Sequence, residues 1–108
     1  MPRNSLGEFE KLVLLALLRL GPEAYGAQIL EELEERAQVS TSSGALYVAL
    51  RRLERRGLVS SRLGDPTPER GGRAKRYFKI ESPAIRALRT THARWRSLAE
   101  GIENLLES

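Results

Sequence analysis

Cysteine is absent from the 108 residues, histidine occurs once, as His92, and aspartate occurs once, as Asp65. The lack of cysteine excludes disulfides and thiolate metal sites and fits a reducing, cytoplasmic setting. Catalytic and metal constellations need clustered His, Cys, Asp or Glu, and the 13 glutamates are spread over helical faces. Neither an enzyme, a metal site nor a cofactor is therefore expected. Long apolar runs are also missing. The longest, Leu12 to Leu18, has seven residues, follows Glu8 and Glu10 and stops at Arg19. It is too short to span a bilayer and poorly flanked for secretion, so it reads as a core helix and no membrane partner is expected.

What is present is an ordinary folded composition, 41% hydrophobic and 30% charged, on a chain long enough for a modest core. The net charge of +4 hides an asymmetry. Residues 1–39 carry four Lys/Arg against seven acids, residues 40–79 carry ten against three, and residues 80–108 carry four of each. The central segment is thus the basic one, as in a nucleic-acid footprint.

That segment opens with STSSGALYVALRRLERRGLV, residues 40–59, which reads as one helix. Ser40 to Ser43 offer hydroxyl N-caps, and Gly57 sits where a left-handed residue would stop the helix. At about 100° per residue, Leu46, Ala49, Leu50 and Leu53 share one arc. The opposite arc holds Gly44, Ala45, Val48, Arg51, Arg52, Arg55 and Arg56. Small side chains in the first turns let a backbone approach base edges, while arginines reach phosphates or the acceptor edge of guanine. A merely solvated charged face is the competing reading.

Gly7 to Leu20 reads as a first helix, with Phe9, Leu12, Val13, Ala16, Leu17 and Leu20 along one face. Leu14, Leu15 and Leu18 lie off that face, so either the core wraps the helix or another chain covers it. Glu23 to Ala37 reads as a supporting helix. Tyr25, Ile29, Leu30 and Leu33 point inward, and Glu31, Glu32, Glu34 and Glu35 form an outer face that phosphates would repel. After Gly57 the period changes from 3.6 to 2. Leu58 to Leu63 and Ala74 to Ile80 flank GDPTPERGGR, a hairpin with a long tip, and Arg70, Arg73, Lys75, Arg76 and Lys79 line the tip and second strand. Gly71 and Gly72 permit close approach of backbone to phosphate, but the Gly-Lys-Ser/Thr ending of a nucleotide loop is missing. The expected fold is mainly α with a small β-hairpin: a winged helix-turn-helix whose third helix enters the major groove.

Four stretches carry a family resemblance: Tyr25-Gly26, Ser43-Gly44-Ala45-Leu46-Tyr47, Arg52 to Val59, and Gly71-Gly72-Arg73-Ala74-Lys75-Arg76-Tyr77. In order and spacing they resemble the PadR family of bacterial transcriptional regulators, over residues 7 to about 106. The Thr-x-x-Gly signature that usually follows the wing is replaced by Glu81-Ser82-Pro83-Ala84, where Ser82 as N-cap and Pro83 at the first helical position still start a helix.

That helix is expected from Pro83 to Leu106. Ile85, Leu88, His92, Trp95, Ala99, Ile102 and Leu106 recur at alternating spacings of 3 and 4, widened by Leu98 and Leu105. At roughly 36 Å it outruns a small winged domain and implies a partner, the other reading being a helix folded back within one subunit. The chain is accordingly divided at residue 80, with a DNA-binding part (1–80) and a C-terminal dimerisation helix (81–108). The resemblance implies that this helix pairs with a second subunit and packs on its first helix, which would use Leu14, Leu15 and Leu18. It also implies the short subfamily, a palindromic duplex operator and a repressor role. Ser42, Ser43, Gly44, Ala45, Tyr47, Val48, Arg51, Arg52, Arg55, Arg70, Gly72, Arg73 and Lys75 are the expected DNA-contacting set. A flat aromatic effector between tryptophans at the dimer centre is implied in the same way, with Trp95, Leu12, His92 and Ile102 around it. Plain packing is the alternative for Trp95. For the whole chain the alternative is a protein-interaction module with a solvated, or non-specifically nucleic-acid-binding, basic face.

Overall fold

The computed structural model describes residues 6–65 and 74–107. In chain order the elements are α1 (Glu8–Leu20), β1 (Ala24–Tyr25), α2 (Gly26–Ala37), α3 (Ser43–Arg55), β2 (Val59–Leu63), β3 (Arg76–Ile80), α4 (Ser82–Ala99) and α5 (Glu103–Leu106). This is a mainly helical winged-helix fold. Its sheet is antiparallel, in the order β1-β3-β2, with Ser61 opposite Phe78 and Ala24 on the other side of Phe78.

Local chemistry sets the helix ends. The Gly7 amide donates to Glu10 Oε1 at 2.9 Å to start α1, and Gly21, at φ 89°, ends it. Of the four hydroxyl candidates before α3, Ser42 is the cap: its Oγ accepts from the Ala45 amide at 3.0 Å. At the far end Leu58 N–H donates to Leu53 O and Gly57 N–H to Glu54 O, both at 3.0 Å, with Gly57 at φ 75°. That pair of bonds is the Schellman arrangement, and it turns the chain directly into β2.

The core joins Val13, Leu14 and Leu17 of α1, Ile29 and Leu33 of α2, Leu46, Leu50 and Leu53 of α3, and Val59, Phe78 and Ala84 from the sheet and α4. The inner faces expected for α1, α2 and α3 are largely the ones buried. Leu14 is the exception. Expected to face a partner, it is fully buried in the core of this chain, because α2, α3 and β3 all pack on α1. Leu15 and Leu18 stay 46% and 43% exposed.

The sheet holds a strand that periodicity did not suggest. Ala24 and Tyr25, expected within the second helix, pair with β3 instead, and α2 begins only at Gly26. The final helix differs most from expectation. It is 18 residues long, about 27 Å, and ends at Ala99 rather than Leu106. Gly101, at φ 90°, turns the chain, and Glu103 to Leu106 form a separate short helix. The start of α4 also shifts: Glu81 is the N-cap and Ser82 is already helical. A radius of gyration of 15.7 Å, against about 13 Å for a compact chain of this length, reflects how far α4 projects. Trp95 and Leu98 along it are 59% and 84% exposed.

Candidate nucleic-acid interface

The helical period of α3 separates two jobs. Leu46, Ala49, Leu50 and Leu53 are buried, and they fix the helix on α1 and α2. Ser42, Ser43, Gly44, Ala45, Tyr47, Val48, Arg51, Arg52 and Arg55 are all exposed. They run from small groups at the N-terminal end to guanidinium groups at the C-terminal end. Arg51, Arg52 and Arg55 form no ion pair among the described residues. Arg56, expected on this face, turns the other way and lies 3.6 Å from Glu10 Oε1, tying the end of α3 to α1.

Tyr47 is seated rather than loose. Its ring meets Phe78 edge-on, with centroids 5.9 Å apart, so it stands where α3 meets the sheet while 41% exposed. On the wing, Lys75 Nζ sits 3.3 Å from the centroid of the Tyr25 ring. Arg62 lies over Tyr77 at 4.8 Å and bonds Glu23 at 2.7 Å. Tyr25 and Tyr77 are themselves edge-on at 6.3 Å. The two-residue β1 thus supplies a ring that carries a wing cation, a role that periodicity does not reveal; the Tyr-Gly pair before α2 is its only signal in the sequence. Arg70, Gly72 and Arg73 lie outside the described residues. Arg76, expected on the basic surface of the wing, donates instead to Ser61 Oγ at 3.0 Å.

The acidic face of α2 is exposed at Glu31, Glu34 and Glu35, and Glu32 is engaged by Arg19 at 3.3 Å and Arg36 at 2.7 Å. Among the described residues no group of three His, Cys, Asp or Glu is placed to hold a metal ion. No described helix is long and apolar enough to cross a membrane.

A second concavity lies between α1 and α4. A groove of ≈ 550 Å³ brings Leu12, Leu15, Leu18, Ile85, Leu88, His92 and Trp95 together. Ile102, expected beside Trp95, does not line it. The Gly101 turn carries it away from the α4 seam.

Proteins of known structure share this fold. A PadR-like transcription factor from Bacteroides fragilis is 27% identical over 90% of this chain and 88% of its own, with a TM-score of 0.74. A PadR family regulator from Eggerthella lenta is 30% identical over 94% and 88%, with a TM-score of 0.68. One from Clostridium difficile, at 22% identity and a TM-score of 0.73 over 93% and 99%, shares the fold. No curated protein matches the chain significantly. The model of the transcriptional regulator PadR-like family matches residues 14–83, from mid α1 to the start of α4. The chain belongs to the PadR-like family of transcriptional regulators. PadR-like proteins are DNA-binding regulators, not enzymes, which agrees with the scarcity of catalytic side chains. The family model ends where α4 begins, while the similarity to the Eggerthella lenta regulator covers 94% of the chain.

Proposed function

We propose that this PadR-like chain is a homodimeric, sequence-specific DNA-binding repressor. The observation that carries the reading is the exposed face of α3. Ser43, Gly44, Ala45 and Val48 would approach base edges in the major groove, and Arg51, Arg52 and Arg55 would reach guanine edges or phosphates. Ser42, Tyr47, Lys75 and the wing residues Arg70, Gly72 and Arg73 would fix the register on the backbone. The dimer is supported by apolar surface on α1 and α4, where Leu15, Leu18, Ile85, Leu88 and Trp95 line one groove and are partly or largely exposed, and by the further exposed side chains Leu98, Ile102, Leu105 and Leu106. A soluble monomer seldom leaves a patch of this kind uncovered. Two copies related by a two-fold axis would present two α3 helices to a palindromic operator. Selection of bound duplexes from a random DNA pool tests this directly. The expected outcome is an enriched inverted repeat, and enrichment of no sequence refutes the reading in favour of a non-specific basic face.

The α1–α4 groove favours a second element. Its apolar lining and the exposed Trp95 suit a flat aromatic effector held by stacking and burial beside Leu12 and His92. Such a ligand would relieve repression only by binding more tightly to one spacing of the α3 helices than to another.

A further inference from the structure

Glu54 is the only acid on α3, placed among Arg51, Arg52, Arg55 and Arg56. A carboxylate facing DNA there would oppose the neighbouring guanidinium groups, yet this one is turned aside. Its Oε2 accepts from Ser61 Oγ at 2.8 Å, and the same Ser61 oxygen accepts from Arg76 Nη1 at 3.0 Å. One side chain each from α3, β2 and β3 thus forms a half-buried chain of hydrogen bonds. The order of donors is cooperative: the Arg76 cation polarises the hydroxyl that donates to the Glu54 anion, so both bonds are charge-assisted.

The position of this chain matters. Toward the core the wing is anchored by Val59 and Phe78, which are buried, while Leu63 at its outer end is 60% exposed. Ser61 lies between them. Along the backbone only the turn at Gly57 joins α3 to β2. We infer that Glu54 is a positioning residue that fixes the wing relative to the recognition helix, acting through Ser61 and Arg76. This rests on the proposed DNA reading, because the angle it sets decides whether α3 and Lys75 meet one duplex at the same time.

The test compares Glu54→Ala, Glu54→Gln and Ser61→Ala with the native chain. Glu54→Ala and Glu54→Gln lose the same charge, but glutamine keeps an oxygen that accepts from Ser61. Two quantities are read: the salt dependence of duplex binding, and hydrogen exchange of the Gly64 amide, which bonds Lys75 O at the outer end of the wing strands. Glu54→Ala and Ser61→Ala are expected to flatten the log–log salt slope by about 1, one phosphate contact. They should also speed Gly64 exchange by roughly 2- to 10-fold, the weight of one net hydrogen bond. Glu54→Gln should stay near the native value in exchange and near the native slope. If Glu54→Ala and Glu54→Gln coincide in both readouts, or Ser61→Ala exchanges like the native chain, the positioning role is overturned and Glu54 acts as charge alone. Should the native chain bind no duplex in a salt-dependent way, the proposed function fails while the exchange comparison still decides the role of Glu54.

Discussion

Replacing Gly64 by alanine tests the packing of the wing where the geometry is tightest. A Cβ built on Gly64 would lie 2.4 Å from Tyr77 Cε2, 3.2 Å from Cδ2 and 3.5 Å from Cζ. The ring cannot easily give way, because Tyr25 meets it edge-on and Arg62 stacks on it. Nor can the backbone withdraw freely, since Gly64 N–H donates to Lys75 O at 2.7 Å. Forcing an extra methyl into such a site costs about 1–3 kcal/mol. Gly64 is not among the positive-φ glycines, so alanine suffers no backbone penalty and restricts the unfolded chain, a gain of about 0.4–1 kcal/mol. The net expectation is a loss centred on about 1.3 kcal/mol, within about 0–2.6 kcal/mol, which is the difference of these two terms. The same substitution made on a Tyr77→Ala background should reverse sign, since the obstacle has gone and only the gain of about 0.4–1 kcal/mol is left. Urea unfolding followed by circular dichroism, at one fixed protein concentration so that any self-association is held constant, measures all four corners of the cycle. A Gly64→Ala cost that is equal in both backgrounds within about 0.5 kcal/mol would show that Tyr77 is not what Gly64 makes room for.

Three further outcomes are expected. Arg51→Ala and Arg55→Ala should each weaken operator binding by about 1–3 kcal/mol, whereas Lys75→Ala should weaken all duplexes alike and flatten the salt slope by about 0.9; Glu35→Ala, on the exposed acidic face of α2, is the control, and an equal loss there would mean that the assigned orientation is wrong. Deleting residues 94–108 should leave a monomer or an insoluble chain where the full chain sediments as a dimer at micromolar concentration, and a soluble full-length monomer in that range would remove the case for the α4 interface. Trp95 is the sole tryptophan, so planar aromatic compounds should quench its fluorescence saturably and shift operator affinity together; quenching without any change in DNA binding would leave Trp95 a packing residue.

The sequence alone determined which parts repeat with a helical period and which with a strand period, and so the winged helix-turn-helix. It also determined the two arcs of α3, because helical geometry assigns residues 3 and 4 apart to one side whatever lies around them: Leu46, Leu50 and Leu53 are inside, and Arg51, Arg52 and Arg55 are outside. The stop at Gly57 was legible for the same local reason, and the N-cap was narrowed to the run Ser40 to Ser43, from which the structure selects Ser42, since caps satisfy backbone groups within a few residues. Tertiary structure alone decided what distant chain covers. Leu14 is off the apolar stripe of α1, and it is buried in the core that the other elements build around α1. Ala24-Tyr25 is too short to show a period, and it becomes a strand because β3 offers an open edge to pair with. The 3 and 4 spacing through Ile102 and Leu106 continues across Gly101, but the spacing of side chains does not fix a backbone: Gly101 takes φ 90°, and the helix stops before those residues reach the seam. Arg56 and Arg76 read as surface cations because their partners lie far off in sequence, Glu10 by 46 positions and Ser61 by 15. Charge is visible in a sequence, but what a charged group bonds is a property of the fold.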